Sequence, residues 1–144
     1  MRVKIVKIRE RAEISRYQTQ GAAGFDLHAA IDEEVVLKSG EFRAIGTGIG
    51  VEIPEGYELQ IRARSGLAYK YGVTLANGVG TIDADFRDEI QILLINHGAE
   101  DFMITPGMRI AQGVVARYET VEWEEVEELG ETERSGGLGS TGLK

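Results

Sequence analysis

The chain has 144 residues and an apolar fraction of 42%, enough for one domain with a core of its own. The absence of cysteine excludes disulfides and thiolate metal sites, and the presence of two histidines only, His28 and His97, argues against a multi-histidine metal centre. A net charge of −8 argues against general binding to nucleic acid, whose affinity rests on phosphate neutralisation, and no window approaches the ~18 apolar residues of a membrane span.

The N-terminal run MRVKIVKIRE alternates charged and β-branched residues where a signal peptide has an apolar block, so a cytoplasmic location is expected. Strand-type runs follow at 3–8, 33–39, 49–54, 57–63, 89–96 and 109–123. Within ELQIRAR, Leu59, Ile61 and Ala63 fall on one face and Gln60, Arg62 and Arg64 on the other. Turn signals recur at KSG, PEG, ANG, NHG and TPG. Many short strands with such punctuation predict an all-β sandwich or barrel, jelly rolls included. One helix is expected in RSGLAYKYG, with Ser65 as its N-cap and Gly72 as its C-terminal stop. Past about Val126 the composition turns to Glu, Gly, Ser and Thr. The chain therefore divides into a folded domain over 1–126 and a flexible glycine-rich arm over 127–144.

Charge is unevenly spread. Residues 119–133 hold eight glutamates, whereas 59–82, 102–118 and 134–144 contain no Asp or Glu, and each of these islands carries arginine. Such islands suit a small anion, although interior strands also exclude acids. In RARSGLAYKYG, the free N–H groups of a helix start, Arg64 and the Ser65 hydroxyl could together seat a phosphate; alone, the segment reads as an ordinary capped turn. In NGVGTIDADFRDEI, Asp83, Asp85 and Asp88 follow a glycine-rich strand. They are either turn residues, or one of them orients a water or partners Mg²⁺. GFDLHAA sets Asp26 and His28 on one face of an alternating strand, and Gln112 in RIAQGVV could be a plain polar face.

Taken in order, AAGFDLHAA, RSGLAYKYG, GTIDADFRDEI, RIAQGVV and RSGGLGSTG resemble the five ordered motifs of the trimeric dUTP pyrophosphatases, over about residues 21–142. The resemblance implies a β jelly roll with one short helix, assembled as a homotrimer with active sites shared between subunits. It implies Mg²⁺-dependent hydrolysis of dUTP to dUMP and pyrophosphate, which limits uracil incorporation into DNA and supplies dUMP for dTMP synthesis. By motif, Asp83 would be the base that activates the attacking water. Arg64, Ser65, Gly66 and Gln112 would hold the phosphates, and Asp26 would stand near the metal through a bound water. Asn77, Gly80, Thr81 and Ile82 would form the uracil pocket, with Phe86 packed on the deoxyribose. On the arm, Arg134 would grip the γ-phosphate, Leu138 would cover the base, and Gly139, Ser140 and Thr141 would close around the triphosphate.

Three residues depart from the family's pattern: Phe86 replaces its tyrosine, Leu138 its base-stacking phenylalanine, and Asp88 a glycine. A φ > 0 at that glycine would still be tolerated by aspartate. The related dCTP deaminases need a glutamate where this chain has Leu93, which disfavours deamination. A non-catalytic nucleotide-binding protein on the same scaffold is disfavoured by the presence of Arg64, Asp83 and Arg134.

Overall fold

The structure is a computed structural model that describes residues 1–133, 136–138 and 140–142. In chain order the strands are β1 (Lys4–Lys7), β2 (Phe25–His28), β3 (Val35–Leu37), β4 (Phe42–Gly46), β5 (Ile49–Glu52) and β6 (Tyr57–Arg62). After the helix α1 (Ser65–Tyr71) come β7 (Val73–Leu75), β8 (Gly80–Ile82), β9 (Gln91–Asn96), β10 (Phe102–Ile104) and β11 (Arg109–Arg117). Two larger antiparallel sheets, ordered β2-β11-β6-β8 and β4-β9-β7, are accompanied by the pairs β1-β5 and β3-β10.

Alternation along the strands makes the core. Leu27, Leu59, Ile61 and Ala111 from the first sheet join Ile45, Ile92, Leu94, Val73 and Leu75 from the second in one buried cluster. Each fully buried Leu or Ile contributes about 1.5–3 kcal/mol of apolar transfer energy, which makes this cluster the main source of stability. The second sheet also turns an apolar face outward, where Phe42 and Leu93 are exposed beside Ala44 and Ile95.

The six expected strands are present, and the alternation expected at Asp26 belongs to β2. Strands β4, β7 and β10 have no counterpart in the sequence reading; at three to five residues they are too short for a period to emerge. The run expected to reach residue 123 stops at Arg117. Its ladder partner β6 begins at Tyr57, opposite Arg117, and past that point one further backbone bond, from the Tyr118 N–H to the Gly56 carbonyl at 3.2 Å, follows the ladder. From there to residue 133 there is no regular element, and Val121 and Trp123 are exposed.

Ser65 is not the N-cap. It is the first helical residue of α1, while Arg64 holds the cap position in extended conformation (φ −89°, ψ 122°), and no side chain bonds to the first turn. The extended course of β6 continues through Arg64, whose guanidinium is drawn sideways onto β2 and β11, and the helix opens at Ser65, one residue earlier than a cap at that position would give. Gly72 ends α1 as expected, in the left-handed region at φ 69°. Among the described residues no non-glycine has positive φ, so Asp88 needs no left-handed backbone.

Candidate active site

The sheet register assembles the first group of polar residues. Strand β11 lies between β2 and β6 and sets Gln112 opposite Asp26 on one side and Arg62 on the other. Asp26 is buried, at 8% exposure, between two guanidiniums: Arg64 Nε is 3.2 Å from Oδ1 and Arg109 Nη1 is 3.2 Å from Oδ2. Arg64 also donates through Nη1 to the Arg109 carbonyl at 3.0 Å, so carboxylate and backbone together fix its direction. Gln112 Nε2 donates to the Ala63 carbonyl at 2.9 Å. Its Oε1 lies over Gly24, where any Cβ would come within 2.5 Å of it. Ser65 and Gly66 open α1 and are exposed. Helix geometry leaves their N–H groups without intrahelical acceptors. Arg109 went unremarked in the sequence. The available signal was an arginine three residues before Gln112 in an acid-free island, but only the β2–β11 pairing reveals its carboxylate.

A second group forms at the opposite edge of the same sheet. Asn77, Gly80, Thr81, Ile82 and Phe86 line one pocket of about 310 Å³, together with Ile61, Leu75, Glu89, Gln91 and Leu93. The turn that carries the chain from β7 in the second sheet to β8 in the first bends at Gly78 (φ 69°), and β8 pairs with β6 through Ile61↔Gly80 and Leu59↔Ile82. Because β8 ends the sheet, its outer N–H and C=O groups have no ladder partners and are available to a ligand.

Asp83 follows β8 directly, is exposed, and accepts the Phe86 N–H on its carbonyl at 3.2 Å to close a turn. Arg87 staples the turn by donating to the carbonyls of Ala84 (2.6 Å) and Phe86 (2.9 Å). The Asp83 side chain borders a different, acidic cleft of about 650 Å³, shared with Glu52, Glu55, Asp85 and Tyr118.

The two groups are far apart within one chain. Asp83 follows Ile82, which pairs with Leu59 in the β6–β8 register, whereas Arg64 lies five residues beyond Leu59, about 17 Å at 3.3 Å per residue. The arm residues Leu138, Ser140 and Thr141 are exposed, while Arg134 and Gly139 lie outside the described residues.

The family model for dUTPase matches residues 10–142. A deoxyuridine 5'-triphosphate nucleotidohydrolase of Nautilia profundicola is 55% identical over 143 residues, with 99% of each chain covered. Among solved structures, a mutant dUTPase of Staphylococcus bacteriophage 80alpha with dUpNHpp matches with a TM-score of 0.88 at 26% identity, covering 99% of each chain. A mutant dUTPase from phage phi11 of S. aureus, described for its coordination of a structural Mg(II) ion, matches with a TM-score of 0.80 at 26% identity. That match covers 89% of this chain and 98% of the phage protein.

Proposed function

The chain belongs to the dUTPase family, and from that premise we propose that it hydrolyses dUTP to dUMP and pyrophosphate, with Asp83 orienting the water that attacks the α-phosphorus. One observation carries the reading: the five residues assigned to the nucleoside converge on a single pocket, and Asp83 leaves the strand that walls it.

Uracil presents a fixed order of acceptors and donors, which the unpaired edge of β8 can meet with backbone groups. Cytosine reverses part of that order and would leave buried groups unpaired. The Phe86 ring lies in the same pocket, where it would cover the deoxyribose and leave no room for a 2′-hydroxyl. Asp83 accepts the water's proton as the new P–O bond forms, and pyrophosphate departs with the electrons of the broken Pα–O bond. Arg64, Gln112 and the amides of Ser65 and Gly66 receive the phosphates. Asp26 holds Arg64 and Arg109 in place, so the triphosphate would meet guanidiniums already ordered.

Among the described residues no three His, Cys, Asp or Glu side chains converge as a metal cage. That fits Mg²⁺ held chiefly by substrate oxygens and water, with Asp26 reaching it through a water. The ion would neutralise charge on the phosphates.

A backbone spacing of about 17 Å between the ends of β6 and β8 that carry Arg64 and Asp83 is longer than a triphosphate. We therefore read the complete site as shared between copies in a homotrimer, with the arm over 127–144 closing on a neighbour. The exposed apolar face around Phe42 and Leu93 supports assembly. No helix among the described residues is long and apolar enough to cross a membrane, and cytoplasmic residence is part of this reading.

The test is pyrophosphate release from dUTP, dCTP, dTTP and UTP, with Mg²⁺ and with a chelator. Turnover should require Mg²⁺ and favour dUTP, and Asp83→Asn should lower kcat by about a hundredfold or more. Mixing inactive Asp83→Asn with inactive Arg64→Ala subunits should restore activity if sites are shared. A mixture that stays inactive after dissociation and reassembly contradicts the shared site.

A further inference from the structure

The turn that carries Asp83 and Phe86 leaves β8 of the first sheet after Ile82 and enters β9 of the second at Gln91. Its own bonds tie it to itself, at Phe86 N to Asp83 O and at Arg87 to Ala84 and Phe86. Its described hydrogen bonds to the rest of the domain are made at Glu89 and Ile90. Ile90 exchanges backbone bonds with Ile49 and Thr47. Glu89 does more, because its carboxylate is saturated. Oε2 accepts Arg9 Nε at 3.1 Å, Arg9 Nη2 at 2.8 Å and Gln91 Nε2 at 3.2 Å, while Oε1 accepts the Gly48 N–H at 2.8 Å.

The surroundings are shaped around that carboxylate. Glu89 is 13% exposed at its side chain. A Cβ on Gly46 would overlap Oε1, so only glycine lets the carboxylate rest on the end of β4. Gly48 is left-handed at φ 66°, the conformation in which its N–H meets Glu89. Glu89 also borders the nucleoside pocket, whose lining includes Gln91 and Phe86. An arginine 80 positions away, on the N-terminal segment, thus holds one wall of that pocket.

We propose that Glu89, clamped by Arg9, is a positioning residue for sugar discrimination: it anchors the far end of the Asp83–Phe86 turn and so sets how closely the Phe86 ring approaches the 2′ position of the nucleotide. The inference rests on the reading of Phe86 given above. A surface ion pair with no further role would add little and would leave selectivity untouched.

The test compares kcat/KM for dUTP and UTP in Arg9→Gln, Glu89→Gln and Gly46→Ala, with melting followed in parallel. Arg9 is half exposed, so its variant is expected to fold even if the others do not. The ratio of dUTP to UTP efficiency should fall about tenfold in Arg9→Gln, through a higher KM for dUTP, and Arg9→Lys should recover part of it. The ratio does not depend on the folded fraction, which separates positioning from stability. An unchanged ratio in Arg9→Gln, with any activity loss tracking loss of folded protein, overturns the proposal. A wild-type protein that hydrolyses UTP as readily as dUTP sinks the Phe86 reading, and this inference with it.

Discussion

Gly113 lies at the centre of the larger sheet, paired with Phe25 on β2 and Ile61 on β6. A Cβ there would stand 2.5 Å from Phe25 Cε2, 2.6 Å from Cζ and 2.9 Å from Leu59 Cδ1. Leu59 is 1% exposed and cannot yield. Phe25 must turn instead, against the edge-on ring of Tyr17 at 5.6 Å. Overpacking of this kind costs about 1–3 kcal/mol. The entropy that alanine removes from the unfolded chain offsets about 0.4–1 kcal/mol. The net expectation for Gly113→Ala is a loss of about 1–2 kcal/mol, or a melting point lower by roughly 3–6 °C. Urea denaturation at fixed protein concentration measures it. Phe25→Val should absorb the methyl, so the double variant should be more stable than the sum of the two single changes predicts. Since Asp26 and Gln112 adjoin this contact, activity in the single variant should fall at temperatures where it is fully folded. A single variant as stable as wild type, or strictly additive effects, would refute the steric argument.

Asn96 is fully buried, donates to the Leu37 carbonyl at 3.0 Å and the Glu100 carbonyl at 2.8 Å, and accepts the Gly98 N–H at 2.9 Å. Asn96→Ala strands all three partners and should cost about 3 kcal/mol by denaturation, with a loss under 1 contradicting that role. Leu138→Phe should lower the KM for dUTP by up to about fivefold, the gain expected of a stacked ring; an unchanged value means that leucine already covers the base. The Lys38 N–H, and then Arg43, hold the Glu41 carboxyl below its ordinary range, and Lys4 does the same for Glu52. Both therefore stabilise above the unfolded carboxylate pKa and lose that contribution as pH falls through their lowered folded values. Glu41→Gln should flatten the acid limb of stability against pH, and an identical limb in wild type and variant would show that Glu41 contributes nothing to it.

Much of the site was legible because motif residues are local. Asn77 to Phe86 span ten positions, and two turns flanking β8 are enough to bring them around one pocket. Contacts across the sheets were not legible. No local signal links Arg109 to Asp26, or Arg9 to Glu89, since strand order decides who meets whom. The N-cap expectation failed at Ser65 for a related reason. A serine before a helical run is a sound local rule, but Ser65 already has helical conformation, and the cap position passes to Arg64, which is tied to β2 and β11. The strand expected past Arg117 shows the same limit, because alternation continues in Val121 and Trp123 after the ladder has run out.

Trp123 is the chain's one tryptophan, and it is 90% exposed. Its indole is already bathed in water in the single folded chain, so its emission would barely move when the interior of an isolated subunit melts. Fluorescence from this protein would therefore report on what settles against the strip between β11 and the arm, and unfolding is better followed by circular dichroism.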